Sequence, residues 1–277
     1  MDGAFLINIR GTMITSAANQ RIKNVAQLLK SAKERKKQGV FVAEGVHMFL
    51  ETPGELLSEV YVSEAFLRRA DAKQLLDGKR AVFEVVSEEA FFRLSDTVTP
   101  QGILCVVKKP EYELLKLLEK DDALLLILEN IQDPGNLGTM LRTAEGAGVS
   151  GVILNKGCVD LFSPKVVRST MGSVYRVPYF ITGNLSETLR ELKRRKVTVY
   201  AAHGRARAFY DAFDFCKSCA FIIGNEGGGI TKETLGFADE CLKIPMGGQL
   251  ESLNAAMAAG IFMYEANRQR RTGCLSP

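Results

Sequence analysis

The 277-residue chain has no apolar run approaching the ~20 residues of a membrane span. Its longest apolar stretches, such as residues 123–128, are strand-sized, which argues against membrane-spanning and fibrous classes. It has two histidines and six cysteines, of which only Cys216 and Cys219 form a CxxC pair. No second pair or nearby histidine completes a zinc site, so no metal is expected, and the scattered cysteines read as reduced thiols of a cytoplasmic protein. Residues 1–16 lack a cationic start and a long apolar core, so no secretory signal is visible. Met13-Ile14-Thr15-Ser16 reads as a start, and residues 1–12 are expected to be an extension without a role in the fold. No internal repeat and no low-complexity tract occurs.

What is present is a globular composition, 46% hydrophobic and 25% charged. The length suits two ordinary domains or one large one. The net charge of +4 decides little, but its distribution is uneven. Residues 10–37 hold eight cations (Arg10, Arg21, Lys23, Lys30, Lys33, Arg35, Lys36 and Lys37) against the single acid Glu34. Residues 41–120 reverse the balance, with ten cations against fourteen acids. A basic segment of this kind is expected where a surface meets phosphates. A merely solvated helix face is the alternative.

Residues 19–38 read as one amphipathic helix, with Ile22, Val25, Leu28, Leu29 and Ala32 at helical spacing. Asn19 suits its N-cap and Gly39 its end. Strands are expected at 40–43, 60–62, 81–86 and 103–107, with helices at 46–51, 64–76 and 88–94. This alternation predicts a small α/β domain over 13–109. The charged stretch 110–122, with a helical hint in Leu115, Leu117 and Leu118, reads as a linker or linker helix. A second α/β series follows over 123–270, with strands at 123–129, 151–155, 176–180, 197–202, 220–224 and 241–245, and a last helix over 252–267. Strands so uniformly apolar predict a parallel sheet covered on both faces.

Ligands of such sheets bind in loops beyond the carboxyl ends of the strands. Three loops carry residues that packing does not demand. The first is Asn130-Ile131-Gln132-Asp133-Pro134-Gly135-Asn136-Leu137-Gly138, with Arg142 six residues after Asn136 and expected to point back at the loop. The second, Gly224-Asn225-Glu226-Gly227-Gly228-Gly229, sets a carboxylate among glycines and is not a dinucleotide fingerprint. The third runs from Ile244-Pro245-Met246 through Gly247, Gly248, Gln249, Leu250 and Glu251 to Ser252-Leu253-Asn254. Each has a structural alternative: a capped turn with a solvent-facing arginine, a tight turn, and a helix capped by Ser252. Asn254, a poor helix former inside the expected first turn, is left unexplained by the last of these.

In this order and spacing the loops resemble the SpoU (TrmH-type) RNA 2′-O-ribose methyltransferases of the SPOUT superfamily. The similarity rests on Asn130, Asn136 and Arg142; on Gly224, Glu226 and Gly229; and on Ile244-Pro245-Met246 with Ser252-Leu253-Asn254. Residues 160–172, with Ser163-Pro164-Lys165-Val166-Val167-Arg168, resemble a further stretch of that family. Residues 13–109 look like the family's RNA-substrate-binding domain, itself similar to a small ribosomal protein, on Thr15-Ser16, Asn19, Ile22-Lys23, the basic helix through Lys33 and Arg35, Phe41, Glu44-Gly45 and Thr99-Pro100-Gln101-Gly102.

The resemblance implies a parallel-sheet domain with a deep trefoil knot, an exception to the rule against threaded chains. It implies S-adenosylmethionine as cofactor, held by Ala202, Gly224, Ile244, Met246 and Leu253, and a homodimer. Arg142 would act as base or as an electrostatic and positioning group, with Asn136, Glu226, Ser252 and Asn254 as its partners. RNA would be gripped by Arg21, Lys23, Lys30, Lys33, Arg35 and Lys36. Large-subunit ribosomal RNA is the expected substrate. Transfer RNA, or a role in ribosome assembly without catalysis, are the alternatives.

Overall fold

The computed structural model describes residues 9–273, so Cys274 and residues 1–8 lie outside the account that follows. The chain forms two compact units: residues up to Pro110 together with Phe162–Tyr175, and Glu111–Leu161 together with Arg176 onward.

The first unit is built on a four-stranded sheet of β1 (Val40–Glu44), β2 (Leu57–Ser63), β3 (Glu84–Val86) and β4 (Ile103–Lys108), in the order β1-β4-β2-β3. β4 runs antiparallel to β1 and β2, and β3 runs parallel to β2. The basic segment is two helices, Gln20–Lys30 and Ala32–Gln38, and not the continuous one its periodicity predicts. Ser31 breaks it: its backbone is extended and its hydroxyl accepts from the Glu34 amide, so it ends one helix and caps the next. The outer ends follow expectation, with Asn19 capping the start and Gly39 in the left-handed conformation at φ 66°. Ile22, Val25 and Leu28 pack with Phe91 and Leu104 in one apolar cluster.

Two findings revise the expected organisation of this unit. Ile9 and Ile14 bridge to Phe83 and Val86, so residues before Met13 take part in the fold. Residues 162–175 pack here because their aromatic side chains find partners here. Phe162 lies 4.9 Å from the Phe41 ring, and the Thr52 hydroxyl donates to the Tyr175 oxygen over 3.0 Å.

The second unit holds seven parallel strands: β5 (Leu124–Leu128), β6 (Gly151–Asn155), β7 (Tyr179–Thr182), β8 (Thr198–Ala202), β9 (Ala208–Phe209), β10 (Cys219–Ile223) and β11 (Glu240–Lys243). Their order is β7-β6-β5-β10-β8-β11-β9, and every pairing is parallel. The expected parallel sheet is present; the strand expected at 176–180 lies instead at Tyr179–Thr182, and the two-residue β9 is additional. Helix Leu185–Arg194 seals one face through Leu189 and Leu192 against Val199 and Ile222. On the other face Phe221 stacks on Phe262 of helix Ala255–Arg271 at 5.7 Å. Residues 111–122, expected as a linker, pack on this unit: Leu117 is buried so tightly under Gly151 that a Cβ there would sit 2.3 Å from its Cγ. Cys105, Cys158, Cys219 and Cys241 are free thiols.

Candidate active site

β8, β10 and β11 lie side by side and parallel, with Leu242 opposite Ala202 and Ile222 opposite Ala201. Ala202, Gly224 and Ile244 therefore leave the sheet at the same edge. β5 adjoins β10, so the loop opening helix Pro134–Gly146 emerges there too. Parallel pairing thus collects the three loops singled out from the sequence.

Hydrogen bonds then join them. The Glu226 carboxylate accepts from the backbone amides of Gln132 and Asp133, each over 3.1 Å, and from the Asn136 side-chain nitrogen over 3.0 Å. The Asn136 side-chain oxygen accepts from Asn254 Nδ2 over 2.9 Å. Asn254 Oδ1 accepts from the amides of Ala256 and Met257, which makes Asn254, not Ser252, the N-cap of the final helix. That resolves its position: the helix begins one residue after it, so no helix interior has to tolerate an asparagine. Asn254→Ala is expected to lower unfolding stability by about 1 kcal/mol, read as a shift in the urea midpoint.

Burial pushes the Glu226 carboxyl up, but the bonds from Asn136 and the two amides outweigh it and hold it below the ordinary glutamate value of 4.5. A lowered folded value means that the bracing is present above the unfolded value and is lost as pH falls through the folded one. Loop order, followed by cofactor-induced protection from proteolysis, is therefore expected to survive at pH 5 and to fail at lower pH. Glu226→Gln removes that acid limb.

The loop after β10 is a closed turn. Asn225 and Gly229 exchange backbone bonds of 3.1 and 2.9 Å, and Asn225 Oδ1 accepts from the amides of Gly227 and Gly228. Asn225 Nδ2 reaches across to the Asn130 carbonyl over 2.8 Å. Buried Glu129 accepts from the Thr231 amide and from the hydroxyls of Thr231 and Thr234, anchoring the far side of the same loop. Asn225 and Glu129 were not singled out from the sequence. An Asn with glycines two and three residues on is suited to a side-chain-closed turn, and the sequence offers that signal for Asn225.

Two expected members stand apart. Arg142 is exposed and its side chain makes no hydrogen bond or ion pair among the described residues; on an ideal helix it sits about 120° around from Asn136 and ~9 Å along the axis. Ser252 is exposed and its hydroxyl has no partner among the described residues. The expected cofactor residues Ala202, Gly224, Ile244 and Met246 are half-buried, and Leu253 is 36% exposed. No group of three or more His, Cys, Asp or Glu side chains placed to hold a metal occurs among the described residues.

Residues 123–264 match the SpoU rRNA Methylase family, and residues 19–105 match the MRM3-like substrate binding domain. The chain belongs to the SpoU rRNA methylase family. Among relatives, it is 37% identical to the 23S rRNA (guanosine(2553)-2′-O)-methyltransferase RlmP of Bacillus subtilis over 91% of this chain and 97% of that one. It is 32% identical to the human mitochondrial rRNA methyltransferase 3 over 91% of this chain and 73% of that one. A solved structure of the SpoU methyltransferase AviRb from Streptomyces viridochromogenes in complex with AdoMet superposes with TM-score 0.84 at 26% identity, covering 92% and 99% of the two chains. As a SpoU-family chain this protein pairs an α/β substrate-binding unit with a parallel-sheet methylase unit.

Of the six cations expected on the substrate-binding unit, Lys23, Lys30, Lys33 and Lys36 are exposed. Arg21 pairs with the buried Glu84 carboxylate. Arg35 faces inward: it is 3% exposed and its guanidinium donates to the Leu28 and Leu29 carbonyls over 2.5 and 3.1 Å. It satisfies the last turn of the preceding helix. Arg35→Ala is therefore expected to cost about 2 kcal/mol of stability, measured by urea unfolding, with no loss of salt-dependent RNA affinity.

Proposed function

We propose that this chain transfers a methyl group from S-adenosylmethionine to a ribose 2′-hydroxyl of large-subunit ribosomal RNA, in the cytoplasm and as a homodimer. The observation that carries this reading is the bonded set Glu226, Asn136 and Asn254, which ties all three motif loops together at one sheet edge.

The residues present fit the cofactor. A Cβ on Gly224 would lie 2.3 Å from the Gly229 carbonyl carbon, so the loop approaches here as closely as backbone allows. Half-buried Ile244 and Met246 and exposed Leu253 add apolar surface suited to a purine ring. When bound, S-adenosylmethionine supplies an electrophilic methyl group. Ala202, Gly224, Ile244, Met246 and Leu253 hold it. Glu226 and Asn136 keep the loops closed, and Asn254 fixes the final helix beneath them.

Arg142 contacts the RNA. A guanidinium keeps its proton, so its part is to place the ribose and to stabilise the negative charge that develops on the oxygen as the hydroxyl proton passes to solvent water. With no internal partner, its side chain is available for that contact.

Met257 and Tyr264 are 60% and 51% exposed on helix Ala255–Arg271, seven residues and two turns apart. A second copy covers this stripe and completes the site, in the manner of the knotted domains of the family. Sedimentation is expected to give a dimer for the intact chain and a monomer without methyl transfer for Met257→Lys. Activity retained by a monomer would remove the dimer from the reading. The transfer itself is tested with purified enzyme, labelled S-adenosylmethionine and ribosomal RNA.

A further inference from the structure

The substrate-binding unit contains a cleft of about 360 Å³ that the basic helices do not account for. It lies at the edge where β1, β2 and β3 end and β4 begins. Its walls include Phe66, Arg69, Glu88, Phe92, Pro100 and Gln101.

Hydrogen bonds and one close backbone approach frame the cleft. Glu44, 8% exposed, accepts from the Ser95 and Thr97 hydroxyls and the Asp96 amide, which pins the loop leading to Pro100. Gln101 Oε1 accepts from the Val46 amide over 2.7 Å, leaving its side-chain NH₂ without a partner among the described residues. Gly102, at φ 79°, leaves no room for a side chain: a Cβ would meet Ser63 Oγ at 2.6 Å and Phe66 Cβ at 2.9 Å.

Its surface chemistry is that of a base pocket. Phe91 is buried in the core, but its neighbour Phe92 is 64% exposed and offers an open ring face. The Arg69 guanidinium lies 5.5 Å from the Phe66 ring centroid and makes a two-bond pair with Asp71 at 2.9 and 2.8 Å. Aromatic and guanidinium planes are what unstacked bases lie against. Because Asp71 already neutralises Arg69, the free Glu88 oxygen leaves the cleft unattractive to phosphate. That carboxylate accepts N–H donors, and the Gln101 NH₂ supplies a donor.

We infer that this cleft binds one unpaired nucleobase of the RNA substrate, guanine being the best match. Guanine's adjacent N1 and N2 donors suit the Glu88 carboxylate and its O6 suits the Gln101 amide. The inference rests on the RNA-methylating reading and adds a sequence-reading contact to a unit otherwise expected to hold phosphates.

The test is fluorescence anisotropy of the full chain with labelled decauridylate and with the same oligonucleotide carrying one central guanosine, at several salt concentrations. The guanosine oligonucleotide is expected to bind about tenfold more tightly. Phe92→Ala and Glu88→Gln should each remove that preference without changing the slope of log affinity against log salt. Both positions are exposed, and unchanged thermal unfolding establishes that the variants fold. Equal affinity of the intact chain for both oligonucleotides, or a preference that both variants retain, overturns the cleft assignment while methyl transfer to ribosomal RNA stands. A chain that transfers no methyl to any RNA overturns the reading beneath it.

Discussion

Arg142→Ala is expected to lower methyl transfer to RNA by about a thousandfold while leaving the affinity for S-adenosylmethionine unchanged. The split follows from where the side chain stands. Asn136 is bound into the loop network through Glu226 and Asn254, whereas Arg142 shares none of those bonds and is exposed on the same helix. Removing it leaves the Leu137, Met140 and Leu141 packing face untouched, so neither the helix nor the cofactor loops should move. On the proposed reading, what is lost is the positive charge that places the ribose and stabilises the developing alkoxide. Calorimetry with S-adenosylmethionine and tritium transfer to RNA separate the two quantities. Arg142→Lys keeps the charge but not the planar fork, and intermediate activity is expected. Full methylation by the alanine variant would show that the assigned role belongs elsewhere.

Gly224→Ala should act on the other quantity, weakening S-adenosylmethionine binding by about a hundredfold. The added carbon would lie 2.3 to 2.4 Å from the Gly229 carbonyl and the Ile230 nitrogen, all backbone atoms that cannot rotate away. Relief requires opening the turn closed by Asn225 and Gly229 and withdrawing Glu226 from Asn136. Gly227→Ala is the matched control. Its added carbon meets nothing closer than Asn225 Oδ1 at 3.6 Å, so binding is expected to persist. Titration calorimetry on the two variants reads the contrast directly.

Much of this site was legible because its residues are costly to explain by packing. A carboxylate among glycines and an asparagine at a helix start both point outward from the core, and the parallel order of strands then brings them together. Asn254 was legible as an anomaly, though not as the cap it forms, because helix starts blur by a residue or two in sequence. The break at Ser31 was hidden for a different reason. Apolar spacing runs through it unbroken, and only the extended backbone of one residue divides the helix. Arg35 was misread by the same periodicity: among so many lysines its charge suggested solvent, but the kink turns it onto two carbonyls of the preceding helix. Residues 162–175 show the limit of reading along the chain. Their packing against Phe41 and Thr52 joins positions more than a hundred residues apart, and no local signal announces it.

The charge pattern also changes meaning. Residues 10–37 carry eight cations, but one of them is buried and another is paired with a buried acid. The exposed cations that remain are five lysines and Arg10, a set suited mainly to point-charge contact with phosphates on the proposed reading.

The most direct measurement of the central claim is mass spectrometry of nucleosides from RNA incubated with the purified chain and S-adenosylmethionine. Large-subunit ribosomal RNA from cells lacking the gene, digested to nucleosides after the reaction, is expected to gain a single 2′-O-methylated nucleoside, absent when Arg142→Ala replaces the intact enzyme. Methyl groups found only on bases, or only in transfer RNA, or in no RNA at all, would contradict it.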